Sequence, residues 1–102
     1  MDANTRNTAH TLLDFYAGFA ASNSQEEQEN AFKTSMQRLN EGEAILASTD
    51  DEGNLNLDFG PVLLASGVTY QWFIGRLASA SGKAEEELTF ELREFIDSLG
   101  DE

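Results

Sequence analysis

The feature that most constrains the fold is an apolar segment that carries no acidic residue, in a chain that is otherwise strongly acidic. Residues 59–75 carry no charge at all, and the segment continues past Arg76 to Gly82. Pro61 suits the first turn of a helix, where the N–H group that proline lacks would be unpaired anyway. Apolar residues then occur on almost every side of the predicted helix, so it should be buried on several sides. Either three other helices of the chain or a second copy of the protein must cover it.

This segment is not expected to cross a membrane. It contains Pro61, Ser66, Thr69 and Gln71, and its uncharged part is shorter than the roughly 20 apolar residues that a spanning helix needs. The first ten residues, MDANTRNTAH, include an acid and no apolar run, which is unlike a secretory signal. These features predict a cytoplasmic protein with no membrane contact.

Composition excludes several classes of function. The chain has 19 acidic and 6 basic residues, for a net charge of −13. Such a polyanion is repelled by nucleic-acid phosphates and anionic lipids, so direct nucleic-acid binding is not expected. Cysteine is absent, which removes disulfides, thiolate metal sites and cysteine nucleophiles. A length of 102 residues predicts one helical domain over residues 1–102.

Helical periodicity and end signals predict four helices, and hence a mainly α fold. The first covers about residues 7–21 with an inward stripe, and the second starts at a capping box formed by Ser24 and Glu27 and stops at Gly42. The third covers 61–82 and the fourth about 85–99. The predicted inward residues are Leu12, Leu13, Phe15, Tyr16, Phe19 and Ala20 on the first helix, Phe32, Ser35, Met36 and Leu39 on the second, and Leu88, Leu92, Phe95, Ile96 and Leu99 on the fourth.

Residues 44–59 allow two interpretations. Ile45 and Leu46 can extend the second helix past Gly42, at a cost of about 1 kcal/mol for the glycine. Alternatively, Leu55, Leu57 and Phe59 alternate with polar residues, which is typical of a half-buried strand. A turn with Gly53 in the left-handed region would then make a short β-hairpin between the second and third helices.

The acidic turn of this segment, residues 50–52, resembles part of a calcium loop. With Gly53 as the central glycine, Asp50, Glu52 and Asn54 fall on ligand positions of an EF-hand. However, the first position is Ser48 and the twelfth is Phe59, so the bidentate carboxylate that closes such a site is missing. We therefore predict an acidic surface turn, with no metal.

No residue pattern indicates catalysis. His10 is the only histidine, and a general base needs an orienting group and a nucleophile beside it. No phosphate-binding loop, nucleophile elbow or zinc-protease motif occurs. The prediction is a protein that is not an enzyme, with no catalytic residues and no cofactor.

The segment TYQWFIGR, residues 69–76, is the candidate interaction site. Tyrosine, tryptophan and arginine dominate binding hot spots, and Tyr70, Trp72, Phe73 and Arg76 lie within two helical turns. Arg76 is four residues after Trp72, so its guanidinium can stack on the indole or pair with a carboxylate. The alternative is that Trp72 fills the core of the domain.

Two glycines of the third helix raise a related question. Gly67 and Gly75 lie on one face of the helix, where the absence of a side chain lets a neighbouring helix approach closely. That neighbour can belong to the same chain or to a second copy.

The function predicted from these features is a small acidic protein-interaction module that forms a homodimer through its third helix or binds another protein. The alternative is an acidic inhibitor or nucleic-acid mimic that docks on a basic protein, steered by charge. The acids cluster where helix starts and a turn already account for them, which favours the first function.

Overall fold

The computed structural model describes residues 1–100, which form a mainly α fold of four helices with one antiparallel β-hairpin. This confirms the fold class predicted from the sequence. The elements are α1 (Ala3–Ala20), α2 (Gln25–Glu41), β1 (Leu46–Thr49), β2 (Leu55–Asp58), α3 (Gly60–Ser81) and α4 (Glu85–Ser98). The chain divides into two compact units, unit 1 from Met1 to Gly67 and unit 2 from Val68 onward.

The starts of α1 and α2 are fixed by capping side chains. Oδ1 of Asp2 accepts a hydrogen bond from the backbone N–H of Thr5 at 2.7 Å, so α1 begins about one turn before the predicted start. Ser24 caps α2 through its hydroxyl, which accepts from the N–H of Glu27. The Glu27 carboxylate accepts from the N–H of Asn23, one residue before the cap, so the predicted capping box is present in a slightly displaced form.

Small residues form the contact between α1 and α2 in unit 1. Thr8 and Thr11 are buried on α1, and Ser35 is buried on α2. Each threonine hydroxyl donates to the carbonyl four residues earlier, so its polar group is satisfied without a partner on the other helix. A Cβ at Gly18 would lie 3.5 Å from that of Ala31, which shows how closely the two helices approach.

Most of the larger apolar side chains of α1 and α2 are exposed, contrary to the prediction that they point inward. The Phe15 ring packs edge-on against Phe32 at 6.3 Å between centroids. Leu12, Phe15 and Leu39 are half-buried. The predicted inward residues that are instead exposed are Leu13, Tyr16, Phe19, Ala20, Phe32 and Met36.

Residues 44–59 contain the β-hairpin and do not extend α2, which ends at Glu41 with Gly42 as its C-cap. Thr49 pairs with Leu55, and the register continues to Leu46 opposite Asp58. Gly53 has a φ of +84°, the left-handed value predicted for this turn. Every strand residue is exposed, so the alternating leucines form a strand without the buried face that alternation suggested.

The apolar helix α3 exposes most of its large side chains. Its buried residues are Pro61 and Ala65, and each of its large apolar side chains is at least partly exposed. Within unit 2, α3 and α4 do not pack along one another, and α4 buries Leu88 alone of its predicted inward stripe. Within unit 2, α4 therefore does not cover α3.

Candidate interaction surface

The candidate site on α3 consists of two adjacent rows of side chains, each set by helical spacing. Tyr70, Phe73 and Leu77 are separated by three and four residues and share one side of the helix. Trp72 and Arg76 lie four residues apart on the neighbouring side. We call the first set the Tyr70–Leu77 row.

Ring contacts connect the two rows at their centre. The Trp72 and Phe73 rings meet edge to face, with centroids 5.2 Å apart and planes inclined at 82°, a favourable arrangement for aromatic side chains. The Arg76 guanidinium carbon lies 5.1 Å from the centre of the Trp72 ring, within the range of a cation–π contact. Of the two interactions predicted for Arg76, the structure contains the stacking on the indole.

All four predicted site residues are accessible. Tyr70 is 60% exposed, Trp72 58% and Phe73 52%, and Arg76 is also exposed. Of the two alternatives for Trp72, filling the core of the domain does not agree with this exposure. Large aromatic side chains are poorly solvated and usually bury most of their surface, so three of them exposed within one helical turn form a surface suited to a partner.

The surroundings of Gly67 and Gly75 on α3 are open in the part of the chain that the structure describes. A Cβ added at Gly67 or at Gly75 would meet no atom within 4 Å. Gly75 lies on the side of the helix opposite to the Tyr70–Leu77 row, since the helix turns by about 100° per residue. The close helix approach that the glycines suggested is not present.

A second apolar row, which the sequence assigned to the core, is exposed on α4. Leu92, Phe95 and Leu99 recur at intervals of three and four residues and are all exposed. We call them the Leu92–Leu99 row. Their spacing is visible in the sequence, but periodicity shows only which side chains share a face and says nothing about what covers that face.

Charge is distributed unevenly around these rows. No acidic residue lies between Asp58 and Glu85, whereas the first turn of α4 contains Glu85, Glu86 and Glu87. Between the helices, Nζ of Lys83 lies 2.6 Å from a carboxylate oxygen of Glu91. The hydrogen bond to this carboxylate, together with its charge, raises the pKa of Lys83.

His10 and the acidic side chains are the other candidate residues for a site. His10 lies on a shallow depression with Asn7, Arg38 and Glu41, and Arg38 forms an ion pair with Asp14 at 2.9 Å. No group of three or more histidine or acidic side chains in residues 1–100 is arranged to hold a metal ion.

The acidic turn is organised by Asp50. One carboxylate oxygen accepts from the N–H groups of Glu52 and Asn54, each at 2.9 Å, and the other accepts from the Asn54 side chain. The hydrogen bonds from Asn54, followed by that from Glu52, lower the pKa of Asp50. Asp50 therefore has a structural role in closing the hairpin.

No helix in residues 1–100 is both long enough and apolar enough to span a membrane. Comparison with known proteins gives no assignment: no protein family, curated protein sequence or solved structure matches this chain.

Proposed function

We propose that this protein is a non-enzymatic interaction module that forms a homodimer through α3. The observation that carries the proposal is the exposure of Tyr70, Trp72 and Phe73 on a helix without acidic residues. The centres of protein interfaces are depleted in charge and rich in aromatic residues and arginine. The α3 surface has this composition, and the rest of the chain's surface is strongly acidic.

A second copy is a suitable partner because it brings the same uncharged surface. Two chains of charge −13 repel each other, and this repulsion is smallest where acids are absent from the contact. Salt screens repulsion between like charges. The homodimer should therefore become more stable as the ionic strength rises.

The alternative proposal, an acidic inhibitor or nucleic-acid mimic that docks on a basic protein, rests on the net charge. Many acids occupy positions that the fold already explains, including Glu26 and Glu27 in the first turn of α2 and Glu85–Glu87 in that of α4. Binding to a basic partner would weaken with salt, which is the opposite of the dependence expected for the homodimer.

Cytoplasmic location stays a prediction from the sequence.

Light scattering coupled to size-exclusion chromatography tests the proposed homodimer. The wild-type protein should elute with twice the monomer mass, and Phe73→Glu should shift it towards the monomer because the change buries a charge in the contact. Tyr16→Glu is the matched control: it changes an exposed aromatic residue of α1 and should leave the dimer intact. Equal dissociation by both variants would contradict a contact through α3.

The fluorescence of Trp72, the only tryptophan, gives an independent measurement. Its indole is 58% exposed in the single chain and should lose contact with water as the dimer forms. Emission should therefore shift to shorter wavelength as the protein concentration increases. An emission maximum that is independent of concentration, in a sample whose mass doubles, would place Trp72 outside the contact.

A further inference from the structure

Helix α4 presents an apolar surface that its own unit does not cover. The Leu92–Leu99 row is exposed, and Ile96, beside it, is 55% exposed. Because α3 and α4 do not pack along each other within unit 2, each copy contains two apolar helical surfaces that do not cover one another. A dimer that covered only α3 would leave the α4 surface in water.

The charges on α4 limit which surface can cover it. Besides the three acids of its first turn, α4 carries Glu91, Glu94 and Asp97. With these six acids and Arg93 as its one basic residue, α4 has a net charge of −5. Glu85, seven residues before Leu92, lies on the side of the row. Packing α4 on α4 would therefore place like charges at the contact, which opposes association. Helix α3 has no acid and carries Arg76, so its pairing with α4 avoids that repulsion.

The available area is sufficient for a stable dimer. The two rows and Ile96 together contain seven large apolar side chains, with exposed fractions of 44–62%. Aromatic side chains bury about 150–250 Å² each and aliphatic ones somewhat less, so these seven leave on the order of 600 Å² of apolar surface per copy. A standard interface buries about 800 Å² per partner, of which a little over half is apolar.

We propose that α4 of one copy packs its Leu92–Leu99 row on the Tyr70–Leu77 row of the other copy. A two-fold axis makes the same contact twice, so that two helices from each copy form a four-helix interface. This inference rests on the proposed homodimer and names the element that covers α3 within it.

Cross-linking between different copies tests this arrangement, because the chain has no cysteine and each introduced thiol is unique. Ala80→Cys extends the Tyr70–Leu77 row, since it is three residues after Leu77. Glu85→Cys and Ile96→Cys mark the two ends of α4. Equimolar mixtures of the α3 variant with either α4 variant, one partner isotopically labelled, are treated with a short bis-maleimide and weighed by mass spectrometry.

We expect a mixed product in which position 80 of one copy is cross-linked to position 85 or position 96 of the other. Its yield should exceed that of both symmetric products at least several-fold. Glu94→Cys, on the opposite side of α4, is the matched control and should give little mixed product with Ala80→Cys. Circular dichroism should show wild-type helicity for each variant used.

The outcomes separate the two proposals. If the wild-type protein is a dimer but Ala80→Cys mainly cross-links to itself, α3 packs on α3 and the inference is wrong while the proposed homodimer stands. The same holds if Glu94→Cys gives as much mixed product as the row variants. If the wild-type protein has the monomer mass throughout, the proposed homodimer itself is wrong.

Discussion

Replacing Gly75 by alanine tests which side of α3 is free of neighbours. Glycine in a helix interior destabilises by roughly 0.5–1 kcal/mol relative to alanine, because its backbone loses more freedom on folding. An added Cβ at Gly75 meets no atom within 4 Å, so no steric cost offsets this gain. We therefore expect Gly75→Ala to stabilise the protein by about 0.5–1 kcal/mol.

The expected gain is large enough to measure. For a domain of this size, 1 kcal/mol corresponds to a change in Tm of about 4–8 °C. Urea unfolding followed by circular dichroism, at one protein concentration for all variants, gives the free energy directly. Fixed concentration matters because dimerisation makes apparent stability depend on it.

Gly53→Ala is the matched control with the opposite sign. Gly53 also has open space around it, but its φ is +84°, a conformation that alanine adopts only with strain. This variant should be less stable by about 1 kcal/mol. The contrast separates the effect of backbone conformation from the effect of space, since both sites lack close neighbours.

Lower stability of Gly75→Ala, or weaker dimerisation, would contradict this expectation. Either result would mean that another surface packs closely on Gly75. The contact would then use the glycine side of α3, and the Tyr70–Leu77 row on the opposite side would not be the docking surface.

Two further changes test the local structure. Ser24→Ala removes the hydroxyl that accepts from the N–H of Glu27 and should destabilise by about 1 kcal/mol; an unchanged urea midpoint would show that this cap contributes nothing. The pKa of Asp50 is lowered in the folded protein by the N–H of Asn54, so its stabilising effect is present above about pH 4 and is lost as the pH falls through the folded pKa. NMR should show the Asn54 amide signal shifting only below pH 4, and Asp50→Asn should abolish that shift; a transition above pH 4 would contradict the lowered pKa.

The positions of the helices and the hairpin could be predicted because local chemistry determines them. The Ser24 cap, the stop at Gly42 and the left-handed Gly53 each act within a few residues of sequence. The start of α1 lies about one turn before the predicted one, because the Asp2 side chain caps the helix.

Burial could not be predicted in the same way. Periodicity placed Tyr16, Phe32 and Phe95 in a core, yet all three are exposed. The residues buried on α1 and α2 are threonines and a serine, and the two helices approach closely at Gly18 and Ala31. Which surface covers an apolar face depends on residues distant in sequence or on another chain. The local spacing of apolar residues does not specify those contacts.

For the candidate site, the sequence indicates which α3 side chains form the surface, but it does not indicate that α4 side chains are exposed as well. Tyr70, Trp72, Phe73 and Arg76 were selected by residue type, and Arg76 does stack on Trp72. The Leu92–Leu99 row was visible as a stripe but was assigned to the interior. It becomes a candidate surface only when the three-dimensional structure shows it uncovered.

The most direct test of the central claim is the mass of the wild-type protein by sedimentation equilibrium at micromolar concentration, measured across increasing salt. We predict the mass of a homodimer, twice the 11.2 kDa of the chain, with a dissociation constant that falls several-fold between low salt and about 0.5 M as repulsion is screened. A mass of one chain at every concentration and salt would contradict self-association through α3.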